Sequence, residues 1–131
     1  MKKTVLRSYA NMIIRCGLNV QKGQEVIILA ELDQPEFVKM LVEEAYKAKA
    51  GKVTVQWSYQ PLEKIHVRGQ SVKTLGTVEE WEKARQEHYC QVLPARLWLC
   101  SEDPDGLKGM NIEKQAKARQ MSYPILKPYR D

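Results

Sequence analysis

The sequence predicts an α/β fold: a three-layer helix–sheet–helix body built on a small, mainly parallel, doubly wound sheet. Three observations predict it. Residues 18–57 read turn, strand, turn, helix, turn, strand, which is a complete β-α-β unit, and a crossover helix is what joins parallel strands. The first strand, Glu25-Val26-Ile27-Ile28-Leu29-Ala30, is apolar on both faces, as a strand between two helical layers must be. The remaining segments continue the alternation: helix, strand, helix, strand, helix, helix, strand, helix.

The elements follow in order. Val5, Leu6, Tyr9, Met12, Ile13 and Cys16 fall at helical spacing over 4–16, and Gly17 is placed to end that helix. Asn19-Val20-Gln21-Lys22-Gly23-Gln24 supplies the turn into the strand 25–30. Asp33 and Glu36 form a variant capping box with Pro35 in the first turn, and the helix they open carries the stripe Phe37, Val38, Leu41, Val42, Ala45 and Tyr46. Gly51 precedes the second strand, 53–57. Pro61 opens a short helix to about Val67, and Gly69 and Gly76 bracket a loop. Thr77 and Glu80 are spaced to cap a helix over 78–92, with Val78, Trp81, Ala84 or Arg85, Tyr89 and Val92 facing in. Pro94 breaks it. Leu97-Trp98-Leu99-Cys100 reads as a third strand buried on both faces, and Ser101-Glu102-Asp103-Pro104-Asp105-Gly106 as a turn. Asn111 caps a last helix over about 112–122, which Pro124 ends or kinks. The expected organisation is therefore one α/β domain over 1–123 and a connector over 124–131 leading to a further domain. Right-handed crossovers place helices on both faces of the sheet, and one sheet edge awaits a strand from later sequence.

Composition narrows the function. With 44% hydrophobic and 28% charged residues the chain is globular rather than disordered. No apolar run reaches the ~18 residues of a membrane span, and Arg7 interrupts any signal core, so a cytoplasmic location is the default and no membrane partner is expected. Cys16, Cys90 and Cys100 form no Cys-x-x-Cys pair and read as reduced thiols acting as small apolar residues. The net charge of +5 comes almost entirely from the C-terminal segment. Residues 1–105 hold 15 Lys and Arg against 14 Asp and Glu, whereas residues 106–131 hold 6 against 2. Lys108, Lys114, Lys117, Arg119, Lys127 and Arg130 read as a solvated helix face, so no nucleic-acid partner is expected.

Catalytic chemistry is not visible. The loop after the first strand, Glu31-Leu32-Asp33-Gln34-Pro35, contains no glycine, and no Gly-x-Gly-x-x-Gly or Walker loop exists. His66 and His88 fall on helices and are not at ligand spacing to each other. Glu102, Asp103 and Asp105 stand beyond the carboxyl end of the third strand, where α/β sheets bind ligands, but Asp-Pro-Asp-Gly is ordinary turn chemistry. Ser58 and Ser101 lack a nucleophile elbow, and Cys100 reads as a buried thiol. Trp57, Tyr59, Trp81, Tyr89 and Trp98 read chiefly as core, with Trp57 and Tyr59 able to line a cleft at a strand end. No catalytic, cofactor-binding or metal-binding residue is assigned.

Four segments taken together resemble one known family. They are Tyr9 through Gly17; Asn19-Val20-Gln21-Lys22-Gly23-Gln24-Glu25-Val26; Pro35-Glu36-Phe37 through Glu43-Glu44-Ala45-Tyr46-Lys47-Ala48; and Pro104-Asp105-Gly106-Leu107-Lys108-Gly109 with the closing Leu126-Lys127-Pro128-Tyr129-Arg130-Asp131. Trp57-Ser58 and Glu80-Trp81 fall in similar places. The set resembles the N-terminal region of the thermophilic-type metallo-aminopeptidases, the aminopeptidase T and aminopeptidase S family. The chain departs from that pattern at Tyr59 and Gln60, where members tend to carry acidic residues. It departs again at Ser122-Tyr123-Pro124, where the family's last helix tends to continue.

The resemblance implies a metallopeptidase, a hydrolase that removes N-terminal residues from a peptide substrate. It also implies a homodimer and two divalent metal ions of the zinc, cobalt or manganese class, held by Glu, His and Asp residues of a C-terminal catalytic domain. None of those ligand motifs occurs here, so the chain alone is expected to bind no metal and to be inactive. Two other readings stand beside it. One is a separate α/β binding module using loops 31–35, 58–61 and 101–106. The other is nucleic-acid binding through the basic tail, which would show as steep salt dependence.

Overall fold

The computed structural model describes residues 2–99 and 110–130. The class is α/β, as expected, with an open, all-parallel, three-stranded sheet. The elements are α1 (Lys3–Met12) with a π-helical turn (Ile13–Gly17), β1 (Glu25–Glu31), α2 (Pro35–Lys47), β2 (Lys52–Ser58), α3 (Pro61–Gly69), α4 (Val72–Gly76), α5 (Glu80–Val92), β3 (Ala95–Leu99) and α6 (Ile112–Arg130). Among the described residues, 2–58 and 92–99 form one compact unit, and 59–91 and 110–130 form a second.

The first unit holds the sheet. Its order is β2-β1-β3, so the chain winds one way from β1 to β2 and returns to the other side for β3, the reversal of a doubly wound sheet. Pairing is in register from Glu25 opposite Lys52 to Glu31 opposite Ser58, and from Val26 opposite Ala95 to Ala30 opposite Leu99. Alternation then puts Val26, Ile28 and Ala30 on one face with Val53, Val55, Ala95, Leu97 and Leu99. That face packs into a core with Ala10 and Ile14 of the first helix and Phe37, Val38, Leu41 and Ala45 of α2. As the central strand, β1 also buries Ile27 on its other face.

Three expectations are corrected in this unit. First, β3 is not buried on both faces. It is an edge strand with alternating burial, and Trp98 is 70% exposed. Second, the inward stripe of α1 runs one residue over from the expected one. Leu6, Ala10, Ile13 and Ile14 face the core, while Val5, Tyr9, Met12 and Cys16 are exposed. Two apolar stripes lie side by side on this helix, and the one containing Ala10 lets it pack closely on α2. The π turn, closed by the Leu18 N–H on the Ile13 carbonyl at 2.8 Å, adds a residue to the period and brings both Ile13 and Ile14 to the core. Third, α2 starts with Gln34 at its cap position and no side-chain cap bond. Pro35 stands in the first turn and Glu36 supplies its acidic residue, as expected.

Two polar devices hold this unit in register. The turns ahead of β1 and β2 are bonded to each other. Gly23 N–H donates to the Lys49 carbonyl at 2.8 Å, and Gly51 N–H donates to the Gln24 carbonyl at 2.8 Å. Gly23 has φ +82°, and a Cβ on Gly51 would lie 2.5 Å from the Gly23 carbonyl oxygen, so both positions need glycine. On the edge strand β2, Val53 N–H donates to the Tyr46 hydroxyl oxygen at 3.2 Å, which occupies a donor that would otherwise face a new strand.

Between α1 and α2 lies a buried carboxylate. Glu44 is 3% exposed. It accepts from Asn11 Nδ2 at 2.9 Å, and Lys47 Nζ and Arg7 Nη1 stand 3.5 and 3.7 Å from its Oε1. The Asn11 hydrogen bond, helped by the Lys47 and Arg7 charges, holds the carboxyl below its ordinary value of 4.5 against the opposing effect of burial.

The second unit is helical. α4 was expected as a loop; it forms because Ser71 caps it, its Oγ accepting from Thr74 N–H at 3.1 Å. α4 packs on α6 so closely that a Cβ on Gly76 would lie 2.7 Å from Met121 Cβ and 2.8 Å from the Ala118 carbonyl oxygen. Thr77 does not cap α5: its hydroxyl donates to the Lys73 carbonyl at 2.6 Å and closes α4 instead. No residue of α5 is fully buried. Trp81, expected in the core, is 61% exposed, with the Arg85 guanidinium 5.1 Å from its ring centre. Asn111 caps α6 as expected, its Oδ1 accepting from Lys114 N–H at 3.0 Å.

The helix does not end at 122. It continues through Pro124 and Pro128 to Arg130, across the expected connector. Each proline deprives one carbonyl of its partner, those of Gln120 and Pro124, and both residues are exposed so that water serves them.

Candidate functional site

In open α/β sheets ligands gather at the carboxyl edge of the strands. Within the sheet unit it is formed by the ends of β1 and β2. Glu31 and Ser58 are paired in register. Ser58 Oγ donates to Glu31 Oε1 at 3.0 Å and stands 3.5 Å from the Ala30 carbonyl oxygen, while Leu32 N–H donates to the Ser58 carbonyl at 3.1 Å. These bonds tie the loop after β1 to the end of β2. Leu32 and Trp57 are each about half exposed beside them. The Ser58 hydroxyl donates its hydrogen bond to the Glu31 carboxylate, and with the Leu32 amide bond it fixes the backbone at this edge.

The other candidates are not brought together. His66 lies exposed on α3 and His88 exposed on α5, with the His88 ring tilted 6.0 Å from Tyr89. Cys16 and Cys90 are free thiols, as expected, but both are exposed, and Cys16 lies off the inward stripe on which it was placed. Trp57, Tyr59, Trp81 and Trp98 are likewise surface residues rather than core. Cys100, Ser101, Glu102, Asp103, Asp105 and Lys108 lie outside the described residues. Among the described residues no three His, Cys, Asp or Glu side chains converge in a way that could hold a metal ion. No helix among them is long and apolar enough to cross a membrane.

One concavity was missed by reading the sequence. Within the helical unit, a groove of about 230 Å³ is lined by Lys64, Val67 and Arg68 of α3 and by Met110, Asn111 and Lys114 at the start of α6. The i,i+4 spacing of Lys64 and Arg68 was legible; the arrival of Lys114 opposite them depends on tertiary packing.

The profile of the thermophilic metalloprotease family (M29) matches residues 2–131. The chain belongs to this family. Aminopeptidase AmpS of Bacillus subtilis is 31% identical over 125 residues, 95% of this chain and 30% of that protein. Aminopeptidase T of Thermus thermophilus is 32% identical over 126 residues, 96% of this chain and 31% of that protein. The structure of wild-type AmpT from Thermus thermophilus superposes with a TM-score of 0.82 at 31% identity, covering 97% of this chain and 32% of that one. The chain thus spans about 30% of the length of the M29 relatives it matches. The continuation of α6 through Ser122-Tyr123-Pro124 removes one of the two departures from the family pattern.

Proposed function

We propose that this chain is the N-terminal α/β part of a metal-dependent aminopeptidase, a hydrolase acting on peptides with a free amino terminus. The observation that carries the reading is the M29 match along residues 2–131, joined to the TM-score of 0.82 with AmpT. In the whole protein this part walls the substrate cleft and restricts it to short peptides. The chemistry belongs to Glu, His and Asp ligands of a catalytic domain that residues 124–131 lead into, α6 carrying the chain across that boundary. The described residues do not fit a metal ion, so no step of the hydrolysis is assigned to them. The family resemblance also supports two divalent ions and a homodimer.

The reading frame beyond the Asp131 codon tests this. Continuation into a domain rich in Glu, His and Asp supports it. A stop codon at that point leaves the chain as a separate binding module and overturns it.

A further inference from the structure

We infer that the groove between α3 and the start of α6 binds the phosphate group of a small anionic molecule. This goes beyond the proposed peptidase role and does not depend on it. Lys64 and Arg68 lie one helical turn apart on α3, and Lys114 stands in the first turn of α6. Three cationic side chains therefore line one concavity of about 230 Å³.

None of the three forms an ion pair or side-chain hydrogen bond with another described residue. A carboxylate stands close by in sequence, yet it is used elsewhere: Glu113, in the same turn of α6 as Lys114, pairs with Lys117 at 3.6 Å. Gathering three like charges is unfavourable, and an anion between them reverses the sign of that cost.

The remaining lining residues fit the same ligand. Val67 is 4% exposed and makes an apolar floor, and Met110 adds an apolar wall, so a bound anion would be shielded from part of the solvent. Asn111 brings a side-chain amide to the rim while its Oδ1 caps α6. The start of a 19-residue helix adds a positive field to the three cations. A phosphate carries about −1.5 to −2 charges at neutral pH and matches this balance better than one carboxylate, and the planar Arg68 fork suits its oxygens. The groove also leaves room for an organic group resting on Val67 and Met110. Because Lys117 is paired, the positive charge closes around one group instead of extending into a track for a nucleic-acid backbone.

The test is titration of the 131-residue chain with inorganic phosphate, phenyl phosphate and acetate at constant ionic strength, followed by calorimetry and by amide chemical shifts. Saturable single-site binding of phosphate is expected, tighter for phenyl phosphate and weaker for acetate, with shifts confined to residues 64–68 and 110–114. Lys64→Gln and Arg68→Gln, both partly or fully exposed positions, should each weaken binding by about tenfold, whereas Lys22→Gln leaves it unchanged. Three outcomes overturn the inference: shifts that never saturate or that chloride reproduces, affinity unaltered by either groove variant, or preference for a single-stranded oligonucleotide with steep salt dependence.

Discussion

Replacing Glu44 by Gln isolates the charge of the carboxylate buried between α1 and α2. The glutamine keeps an acceptor for Asn11 Nδ2, 2.9 Å away in the parent, but removes the ionic component of that bond and the attraction of Lys47 and Arg7. A hydrogen bond to a charged group contributes about 1.5–3 kcal/mol against roughly 1 for a neutral one. The two cationic side chains are 60% and 37% exposed, so screening leaves each ion pair at the low end of about 0.2–1 kcal/mol. Burying the charge opposes these gains, so the expected loss near neutral pH is about 1 kcal/mol, read as a lower urea midpoint with an unchanged slope.

Acidification gives the second arm of this experiment. The folded-state pKa of Glu44 lies below its ordinary value of 4.5, so the unfolded chain takes up the proton first. The carboxylate's contribution is complete above the unfolded value and is lost as pH falls through the folded one. The parent's advantage over Glu44→Gln should shrink below about pH 4.5 and vanish in stronger acid. Equal stability near neutral pH, or an advantage that grows on acidification, would show that the Glu44 charge does not stabilise the fold.

Two further substitutions probe the sheet unit. Gly51→Ala should cost about 1–3 kcal/mol, since its Cβ meets backbone of the Gly23 turn at 2.5 Å; a thermal midpoint equal to the parent's would contradict that packing. Tyr46→Phe removes the acceptor for Val53 N–H and should cost about 0.5–1.5 kcal/mol while speeding hydrogen exchange at that amide, and unchanged exchange there would show the bond to be unimportant.

The β-α-β unit was legible because each local signal agreed with its neighbours. The doubly apolar β1, Pro35 at the start of α2 and Gly23 and Gly51 in the turns all point to the parallel pairing observed. What misled were features decided by tertiary context. Leu97-Trp98-Leu99 is apolar whether its strand is central or at an edge, and only the sheet order exposes Trp98. The two adjacent stripes of α1 differ by one residue, and packing of Ala10 against α2 selects between them. Thr77 offered a cap in sequence but bonds backward to Lys73, and Pro124 offered a stop that an exposed helix tolerates. At the carboxyl edge, Glu31 and Ser58 lie 27 residues apart, and their meeting follows from strand register alone. Lys114 reaches the groove of Lys64 and Arg68 by packing that no local spacing encodes.

This M29 chain is proposed to supply the scaffold of an aminopeptidase while the reacting groups lie elsewhere. The most direct measurement is turnover of an aminoacyl p-nitroanilide by the rigorously purified 131-residue chain, with zinc, cobalt or manganese added in turn. No release above the buffer blank is expected with any of the three ions. Robust turnover that co-purifies with the chain would contradict it and place a complete metal site within these residues.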